Sequence, residues 1–535
     1  MSGGTGGSAG TLGAVAAGSA WTVEAGLRAL RRGGNAVDAA VAASVMAGVA
    51  EPLLTGMGGG GIATLRMRGE VEVCDMFGAV PGMGSPSGAH APMEDLVVDF
   101  GPTRQTFHVG PASVSVPGLP TGLWAMHQRH GKLPMTELVA FAAEAAERGV
   151  PVTPTFELVL SMLWPVQERD PVSRALFSRE GRPLKAGDTF RNPDLARTLR
   201  AYGEAGPSAI LQGDVGEAIL ATLGPDGRLT RADLQHYTAR FSSAIRYAYR
   251  DAKVYVPGPP SIAGLLVCQA MRALEDHGPM PELMTIRQLS FMCHALARAD
   301  HTRRGRLRHH LFHPAFVSGF LQALAPEEMG EDDVHSAGHG PGQPGGSREG
   351  RPPRMPGNTT HISVVDAQGN AVAITHSLGE TAGRAVPGAG LLLNNFLGEP
   401  DVNPPDVSLP VGGRLMTMCC PTLVELGGAV HALGSSGSSR IRSAILHGVV
   451  LLTDFGLPPD EVVQSPRSHL EDGVLYIETD GAPRSLIEAV GTLGWKLRPF
   501  ERSHLFFGGL NIASGEGRSF SGAGDPRRAG AFAAC

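Results

Sequence analysis

Apolar residues recur at helical spacing over residues 21–32, and a pair of glycines at 33–34 ends the pattern. Asn35 can cap a second helix over residues 36–50. Because this second segment is rich in Ala and Val on every face, we expect it to be buried rather than amphipathic. The chain therefore begins with a predicted helical pair.

Strands and further helices follow this pair. Period-two alternation predicts strands over residues 62–67 and 70–75, directly after the glycines at 58–61. From about residue 115 to 330 helical patterns dominate, for example over 138–148 and 286–299, with strand-like pieces such as 252–256 between them.

The clearest break in the pattern lies at about residues 325–358. This stretch is polar, charged and rich in Gly and Pro, so it cannot bury enough apolar surface to fold alone. We expect a long exposed loop there, and we also expect residues 1–10 to be disordered.

A hairpin pattern starts where that loop ends. Residues 359–366 and 370–377 both read as strands, and the three residues between them end in Gly, which suits a type I turn closed by a left-handed residue. If the residues that flank the turn pair with each other, Thr359 lies opposite Ser377 on the same face. This pair has two interpretations. It is an ordinary cross-strand contact between two hydroxyl residues, or Ser377 places a second hydroxyl beside a reactive Thr359.

Composition and charge limit which partners and which cellular location we expect. The formal net charge of -6 gives no electrostatic footprint for nucleic acid, and no run of about 18 apolar residues predicts a membrane span. The N-terminus has neither a basic region nor a bulky apolar run, so it does not resemble a signal peptide. The six cysteines show no metal-binding spacing, which favours reduced thiols in a cytoplasmic protein.

Three weaker motifs are interpreted as structural. The histidines within residues 301–313 have no clean ligand spacing, and we interpret this segment as a basic, solvated loop. The glycines at 58–61 do not form a dinucleotide fingerprint. Cys419 and Cys420 are expected to pack in a strand. We expect no cofactor and no metal.

Residues 357–378, around the junction at residue 359, read GNTTHISVVDAQGNAVAITHSL. This motif resembles the point where a Thr opens the small subunit of the γ-glutamyltransferases, a family of the N-terminal nucleophile (Ntn) hydrolase superfamily. Most of residues 12–530 resembles the family in its order, through GLRALRRGGNAVDAAVAAS, EPLLTGMGGGG, VPGLPTGLWAMHQRHGKLP, the region 229–274, LLLNNFLGE, CCPTLVE, GSSGSSRIR and GAGDPRR.

The resemblance implies a fold and a subunit organisation. The fold class is α/β (α+β), as a four-layer αββα sandwich with a helical large-subunit region. Residues 1–358 would form a helix-rich large subunit that ends in the processing loop, and residues 359–535 a small subunit with the nucleophile at its start. Both would associate as one structural unit, and a homodimer of this heterodimer is left open.

The chemistry of an N-terminal threonine fits this junction. A Thr hydroxyl is a weak nucleophile and needs a base within reach, and a free α-amine, which titrates at about pH 8, can be that base. The amine exists only after the Asn358–Thr359 bond is broken, so we expect Thr359 to attack its own preceding carbonyl. The mature enzyme would then form an acyl ester on Thr359, which water or an acceptor amine resolves.

The resemblance also assigns catalytic roles to other positions. Ser377 occupies the position of a family Thr that orients the nucleophile. Gly437 and Ser438 occupy the position of a Gly pair whose backbone N–H groups form the oxyanion hole, a contribution of about 3 kcal/mol for each donor. Without the family context, the sequence around Gly437 would be interpreted as a Ser-rich turn or an anion-binding nest.

The positions that bind the γ-glutamyl group depart from the family pattern. They are Phe77 in place of Arg, Gly379 in place of Asn, Phe396 in place of Gln, Glu399 in place of Asp, and Thr417 with Met418 in place of a Ser pair. Since an Arg–carboxylate pair is not replaced by a ring, we expect an apolar pocket for a different acyl group, in which Glu399 could still bind an amine. Two alternatives are that Arg68 or Arg384 enters the pocket, and that the chain is a non-catalytic paralogue.

We therefore interpret the chain as a self-processing Thr hydrolase or acyltransferase that cleaves an amide-like bond of a small molecule other than standard glutathione. The alternatives are γ-glutamyl transfer or hydrolysis of glutathione and γ-glutamyl compounds, cleavage of an unusual bond in an antibiotic-pathway intermediate, and an uncleaved homologue without activity. Nucleic acid and membranes are not expected partners.

Overall fold

Two antiparallel sheets lie face to face at the centre of the molecule, and helices cover the outer face of each. The structure is a computed structural model that describes residues 11–85, 92–99, 104–324 and 358–535. The predicted four-layer αββα arrangement is confirmed. The segments predicted to be disordered or loop-like, residues 1–10 and nearly all of 325–358, lie outside the described residues.

The first sheet has seven strands, which come from both parts of the chain on either side of position 358. In spatial order they are Arg240–Ser243, Glu70–Met76, Gly60–Met67, Ala371–Ser377, Thr359–Asp366, Gly13–Ala17 and Ala531–Ala534. All neighbours in this sheet are antiparallel. Strands from the two parts of the chain are therefore neighbours within one sheet.

The second sheet has six strands and is also antiparallel throughout. In spatial order its strands are Ile245–Tyr249, Ala252–Val256, Thr422–Leu426, Ala429–Gly434, Asn511–Glu516 and Ser519–Ala523. Small residues of both sheets meet between them, among them Ala16, Ala373, Ala432 and Ala513. Small side chains at these positions let the two sheets approach closely.

The strand Thr359–Asp366, here called the junction strand, is buried on both faces. Val364 packs towards the helices, whereas Val365 packs between the sheets. Successive side chains of a strand point to opposite faces, so a central strand of a four-layer fold needs apolar residues at consecutive positions. Any polar side chain that this strand retains must find a partner inside the protein.

Helices Ala20–Arg31 and Ala36–Ala50 cover the first sheet close to the predicted bounds. The Asn35 side chain accepts hydrogen bonds from the backbone N–H groups of Val37 and Asp38, and the Asp38 carboxylate accepts one from the N–H of Asn35. This reciprocal cap satisfies N–H groups that the start of a helix leaves free.

The remaining helices extend both outer layers. Ile262–Asp276 and Arg440–Thr453 pack on the second sheet, and Ile286–Thr302 packs against Ile262–Asp276. The others are Leu119–His130, Met135–Arg148, Pro154–Gln167, Pro171–Leu176, Pro193–Ala205, Ser208–Leu211, Gly213–Leu223, Arg231–His236, Arg308–His310, Pro314–Gln322, Pro459–Gln464 and Arg484–Ala489.

Shorter strands lie outside the two central sheets. They are Glu94–Asp99 with Arg104–Val109, Val150–Pro151 with Thr189–Phe190, Ser178–Arg179 with Arg182–Pro183, Ala385–Val386 with Leu391–Leu392, and Ser468–Glu471 with Val474–Glu478 and Lys496–Phe500. No helix among the described residues combines the length and the apolar character that crossing a lipid bilayer requires.

Two sequence predictions were wrong. The segment 301–313 is mostly helical: the helix Ile286–Thr302 leads through a kink at Gly305 into the short helix Arg308–His310. Arg303 pairs with buried carboxylates instead of facing water. Cys419 and Cys420 are buried but lie before the strand Thr422–Leu426. Pro421 lies between the cysteines and that strand, and a Pro cannot donate to a strand ladder.

Candidate active site

The hairpin has the predicted register, with Thr359 opposite Ser377. The Asp366 side chain fixes the turn by accepting hydrogen bonds from the backbone N–H groups of Gln368 and Asn370. Gly369 has a positive φ of 73°, a conformation that favours glycine. The turn chemistry therefore places two hydroxyls side by side at the far end of the hairpin.

Three groups form a chain of hydrogen bonds at that end. Thr359 Oγ1 donates to Ser377 Oγ at 3.3 Å, and Ser377 Oγ donates to the carbonyl oxygen of Asn358. The backbone N–H of Gly379 donates to Ser377 Oγ at 2.9 Å. The Ser377 hydroxyl is thus oriented by two donors, and its own proton points at the carbonyl of the Asn358–Thr359 peptide bond.

A cleft opens directly above this junction and encloses about 370 Å³, part of it open to solvent. Most of the residues predicted to bind substrate line it together with the junction. The lining consists of Phe77, Asn358, Thr359, Ser377, Phe396, Glu399, Asp401, Val402, Thr417, Met418, Cys419, Ser438 and Ile441. Gly379 and Gly437 are not part of this lining, but the N–H of Gly379 donates to Ser377 and Gly437 directly precedes Ser438, and both of those serines line the cleft.

One wall of the cleft is aromatic. The rings of Phe77 and Phe396 stack with centroids 4.6 Å apart and planes inclined by 18°, and each side chain is about 1% exposed. Stacked pairs of this kind gain about 1 kcal/mol beyond their burial. The two positions where the family pattern loses an Arg and a Gln therefore form one rigid apolar surface.

The only charged side chains among the described residues of the lining are two carboxylates, Glu399 and Asp401. Arg384 forms an ion pair with Glu94 at 3.2 Å and is not in the lining. Arg68 follows the strand Gly60–Met67, whose first residue pairs with Ser377, so it lies about 25 Å along the sheet from the junction. The alternative in which one of these arginines enters the cleft is not supported.

Gly379 and Glu399 depart from the family pattern together. Gly379 has a φ of 67°, and a Cβ at this position would overlap the Glu399 carboxylate and the Asn395 amide. A side chain at 379 is therefore incompatible with the present position of Glu399.

The backbone of Thr417 is held by two hydrogen bonds to a neighbouring segment. The N–H of Thr417 donates to Pro260 O, and the N–H of Ile262 donates to Thr417 O, each at 3.0 Å.

Residues 435–439, here called the serine turn, connect the strand Ala429–Gly434 to the helix Arg440–Thr453. Gly437 and Ser438 both have positive φ values, 111° and 52°. Within the described part of the chain, the backbone N–H groups of these two residues donate to no acceptor. They are therefore available to an oxygen that enters the cleft beside Ser438.

A buried histidine lies two residues beyond Thr359 on the same strand. Ser363 Oγ donates to Asn511 O at 3.1 Å, so it must accept from His361 Nε2, which is 2.9 Å away. His361 Nδ1 then accepts from Thr375 Oγ1 at 2.7 Å. Burial, with a smaller contribution from His376, lowers the pKa of His361 to about 3, so this histidine is neutral and cannot supply a charge near the junction.

The opposite face of the junction strand contacts a buried carboxylate. Glu51 accepts hydrogen bonds from Thr360 Oγ1 at 2.7 Å and from Thr22 Oγ1 at 2.9 Å. Burial raises the pKa of Glu51, although these hydrogen bonds and the charge of Arg528 oppose the effect. Glu51 and Asp401 were not identified from the sequence as site residues, because neither lies in a motif of its own. For Asp401 one signal was present: it is a second acidic residue two positions after Glu399.

Comparison with known proteins covers both sides of the junction. The family model described as gamma-glutamyltranspeptidase matches residues 22–535. The acylase ACY 1 proenzyme of Pseudomonas sp. (strain SE83) is 31% identical over 518 residues, which span 91% of this chain and 87% of that protein. The glutathione hydrolase proenzyme of Escherichia coli (strain K12) is 30% identical over 523 residues, or 90% of this chain and 87% of that protein.

A solved structure has the same fold over the whole chain. The crystal structure of cephalosporin acylase from Bacillus halodurans superposes with a TM-score of 0.79 and 22% sequence identity, covering 100% of this chain and 98% of the acylase. At this level of identity the likeness establishes the fold and leaves the substrate open.

Proposed function

The chain belongs to the γ-glutamyltranspeptidase family, and we propose that it cuts itself before Thr359 and then cleaves an amide-like bond of a small molecule. As a member of this family it is a hydrolase or transferase of the Ntn type. Our proposal extends to the site residues, to the two subunits 1–358 and 359–535, and to a substrate other than glutathione. The cytoplasmic location stays a prediction.

The observation that carries the proposal is the contact between Ser377 and the carbonyl of Asn358 beside Thr359. Attack of Thr359 Oγ1 on this carbonyl carbon would form the new C–O bond and place negative charge on the carbonyl oxygen, where the Ser377 hydroxyl already donates. Breaking the C–N bond then leaves an ester on Thr359, and the hydroxyl proton ends on the released nitrogen. The released nitrogen is the α-amine of Thr359, and water then hydrolyses the ester, which frees the Asn358 carboxylate and restores the Thr359 hydroxyl.

The mature site would use the same nucleophile on a second carbonyl. The new α-amine of Thr359 acts as the base for its own hydroxyl. The substrate acyl group enters the cleft, and its carbonyl oxygen receives hydrogen bonds from the free backbone N–H groups of Gly437 and Ser438. The acyl ester on Thr359 is then transferred to water or to an amine.

The walls of the cleft support an apolar acyl group. The stacked Phe77 and Phe396 present rings where a γ-glutamyl donor would need an Arg for its carboxylate, and a free carboxylate would also meet the carboxylate of Glu399. Like charges in a confined site repel. Similarity to an acylase proenzyme agrees with this inference, whereas similarity to glutathione hydrolases keeps γ-glutamyl compounds as the second candidate.

Two measurements test the proposal. Intact-mass and N-terminal analysis of the purified protein should show two chains, the smaller beginning Thr-Thr-His, and Thr359→Ala should remain uncut. The processed enzyme should release p-nitroaniline faster from phenylacetyl p-nitroanilide than from γ-glutamyl p-nitroanilide. Prompt turnover of the γ-glutamyl compound alone would establish the second candidate, and an uncut wild-type chain would indicate a homologue without this activity.

A further inference from the structure

A single guanidinium connects the serine turn to the first part of the chain. Arg303 Nη1 lies 3.1 Å from Asp401 Oδ1, and Arg303 Nη2 lies 2.8 Å from Glu471 Oε1. The second oxygen of each carboxylate accepts from a serine hydroxyl of the turn: Ser438 Oγ donates to Asp401 Oδ2 at 3.3 Å, and Ser439 Oγ donates to Glu471 Oε2 at 2.9 Å. Two adjacent serines are thus tethered through two carboxylates to one Arg.

The conformation of the turn explains why it needs tethers. Ser438 has a φ of 52°, in the left-handed region where a residue with a Cβ is strained. Such a conformation persists only where the surroundings hold it. Gly437 leaves little room for adjustment, because a Cβ on it would lie 3.0 Å from the Cα of Gly508. The direction of both free N–H groups therefore depends on how firmly the turn is held.

Burial makes these tethers effective. The side chains of Arg303, Asp401 and Glu471 are only 16%, 14% and 13% exposed, so water screens their attraction weakly. Asp300 supports Arg303 from a third side, with Oδ1 3.1 Å from Nη2. Burial alone would raise the pKa of Glu471, but the hydrogen bond from His469 and the charge of Arg303 outweigh it and lower that pKa.

We propose that Arg303 is a positioning residue for the oxyanion hole, acting through Asp401 and Glu471 on the backbone of Ser438 and Ser439. This role rests on the proposed function of the turn. Arg303 lies in the part of the chain before residue 358 and the turn lies after it, so the larger piece would hold the donors of the smaller one after cleavage. Only a forked guanidinium spans both carboxylates, and a Lys ammonium at this position would not.

The test compares Arg303→Met and Arg303→Lys with Arg304→Met as the matched control. Arg304 is the next residue and pairs with Asp300 and Asp472, yet it contacts neither Asp401 nor Glu471. With phenylacetyl p-nitroanilide, or the γ-glutamyl anilide if that is the better substrate, we expect kcat to fall about 10- to 100-fold in both Arg303 variants. We expect KM to stay within about 3-fold, and Arg304→Met to keep the wild-type kcat.

Self-cleavage supplies an internal reference. In the uncut chain Ser377, and not the serine turn, donates to the carbonyl of Asn358. The Arg303 variants should therefore cut themselves within about 3-fold of the wild-type rate while kcat falls. If Arg303→Met yields no folded protein, Arg303→Lys and Ser439→Ala carry the test, because the first keeps the positive charge and the second removes one tether without removing a charge.

The outcomes separate this inference from the proposed function. Wild-type kcat in Arg303→Lys and Ser439→Ala, or an equal loss in Arg304→Met, would overturn the positioning role and leave the proposed function intact. A wild-type protein that neither cuts itself nor hydrolyses an anilide would overturn both. A loss of kcat in the Arg303 variants and in Ser439→Ala, but not in Arg304→Met, with unchanged thermal midpoints, would establish the positioning role.

Discussion

Ser377, the last residue of the hairpin, donates its hydroxyl proton to the carbonyl oxygen of Asn358, the residue directly before the hairpin. The Oγ atom of Ser377 in turn accepts hydrogen bonds from Thr359 Oγ1 at 3.3 Å and from the backbone N–H of Gly379 at 2.9 Å. One side chain therefore contacts the proposed nucleophile and the carbonyl that it would attack. This arrangement makes self-cleavage depend on a group whose removal leaves the strand pairing intact.

Ser377→Ala should slow self-cleavage by about 100- to 1,000-fold, because it removes the only side-chain donor among the described residues that reaches the Asn358 carbonyl. The rate can be followed by intact mass over a time course at 25 °C. Ser377→Thr keeps the hydroxyl and should stay within about 10-fold of the wild type. Cleavage of Ser377→Ala at the wild-type rate would show that another group polarises this bond.

Phe77→Leu should raise KM for phenylacetyl p-nitroanilide about 3- to 10-fold, because the substrate loses one ring of the stacked wall. The control is Phe190→Leu, which breaks an equivalent stacked pair with Phe177, 5.4 Å between centroids, outside the cleft. Both variants should lose a similar amount of stability, on the order of 1 kcal/mol. An equal rise of KM in the control would show that packing in general, and not the aromatic wall, governs substrate binding.

Gly379→Ala should destabilise the protein by about 1–3 kcal/mol and slow self-cleavage, because its Cβ would displace Glu399 and disturb the N–H that orients Ser377. Adding Glu399→Ala should restore part of both losses, since one of the two overlaps disappears. Thermal midpoints and cleavage rates of the two single variants and the double variant give the coupling directly. If the effects of the two single substitutions simply add up in the double variant, the two positions are not in contact.

The sequence predicted the hairpin fully and the cleft only in part. Alternation and a Gly-terminated turn determine a register, so the pairing of Thr359 with Ser377 follows from local chemistry alone. The contact between Phe77 and Phe396 joins residues more than 300 positions apart, and periodicity contains no information about such a contact. The same holds for Arg303, whose surroundings in sequence suggested a solvated loop but whose charge is matched by carboxylates from distant segments.

Acid should destabilise the protein because several histidines are buried in the neutral form. Burial lowers the pKa of His361, His376 and His447 to about 3 and that of His431 to about 4. Histidines in the unfolded chain have a pKa of about 6.5, so below that pH the unfolded chain binds more protons than the folded one. Their contribution to stability is full above about pH 6.5 and is lost as the pH falls towards the folded pKa values, by up to about 1.4 kcal/mol per pH unit for each group.

The pH effect can be measured as the thermal midpoint of the uncut Thr359→Ala protein between pH 7.5 and 4.5. His431→Asn in that background should reduce the drop in midpoint, because it removes one group that must stay neutral when folded. His431 bonds Ser514 on the second sheet and is not in the cleft lining, so the comparison isolates titration from catalysis. An unchanged drop would show that other groups dominate the acid response.

After self-cleavage the two pieces should stay together until the protein is denatured. The strand Ala371–Ser377 pairs over its whole length with the strand Gly60–Met67, and the junction strand pairs with Gly13–Ala17, so the ladders of the first sheet cross between the pieces twice at its centre. Separation would expose these backbone groups and the apolar faces on both sides of the sheet. Native size-exclusion chromatography should therefore give one peak, at the same volume for processed wild type and uncut Thr359→Ala, while a denaturing gel resolves two bands for the wild type alone. A small piece that elutes by itself without denaturant would show that the interleaved strands do not hold the pieces together, and a common peak at twice the 55.7 kDa of the chain would establish the homodimer that the sequence left open.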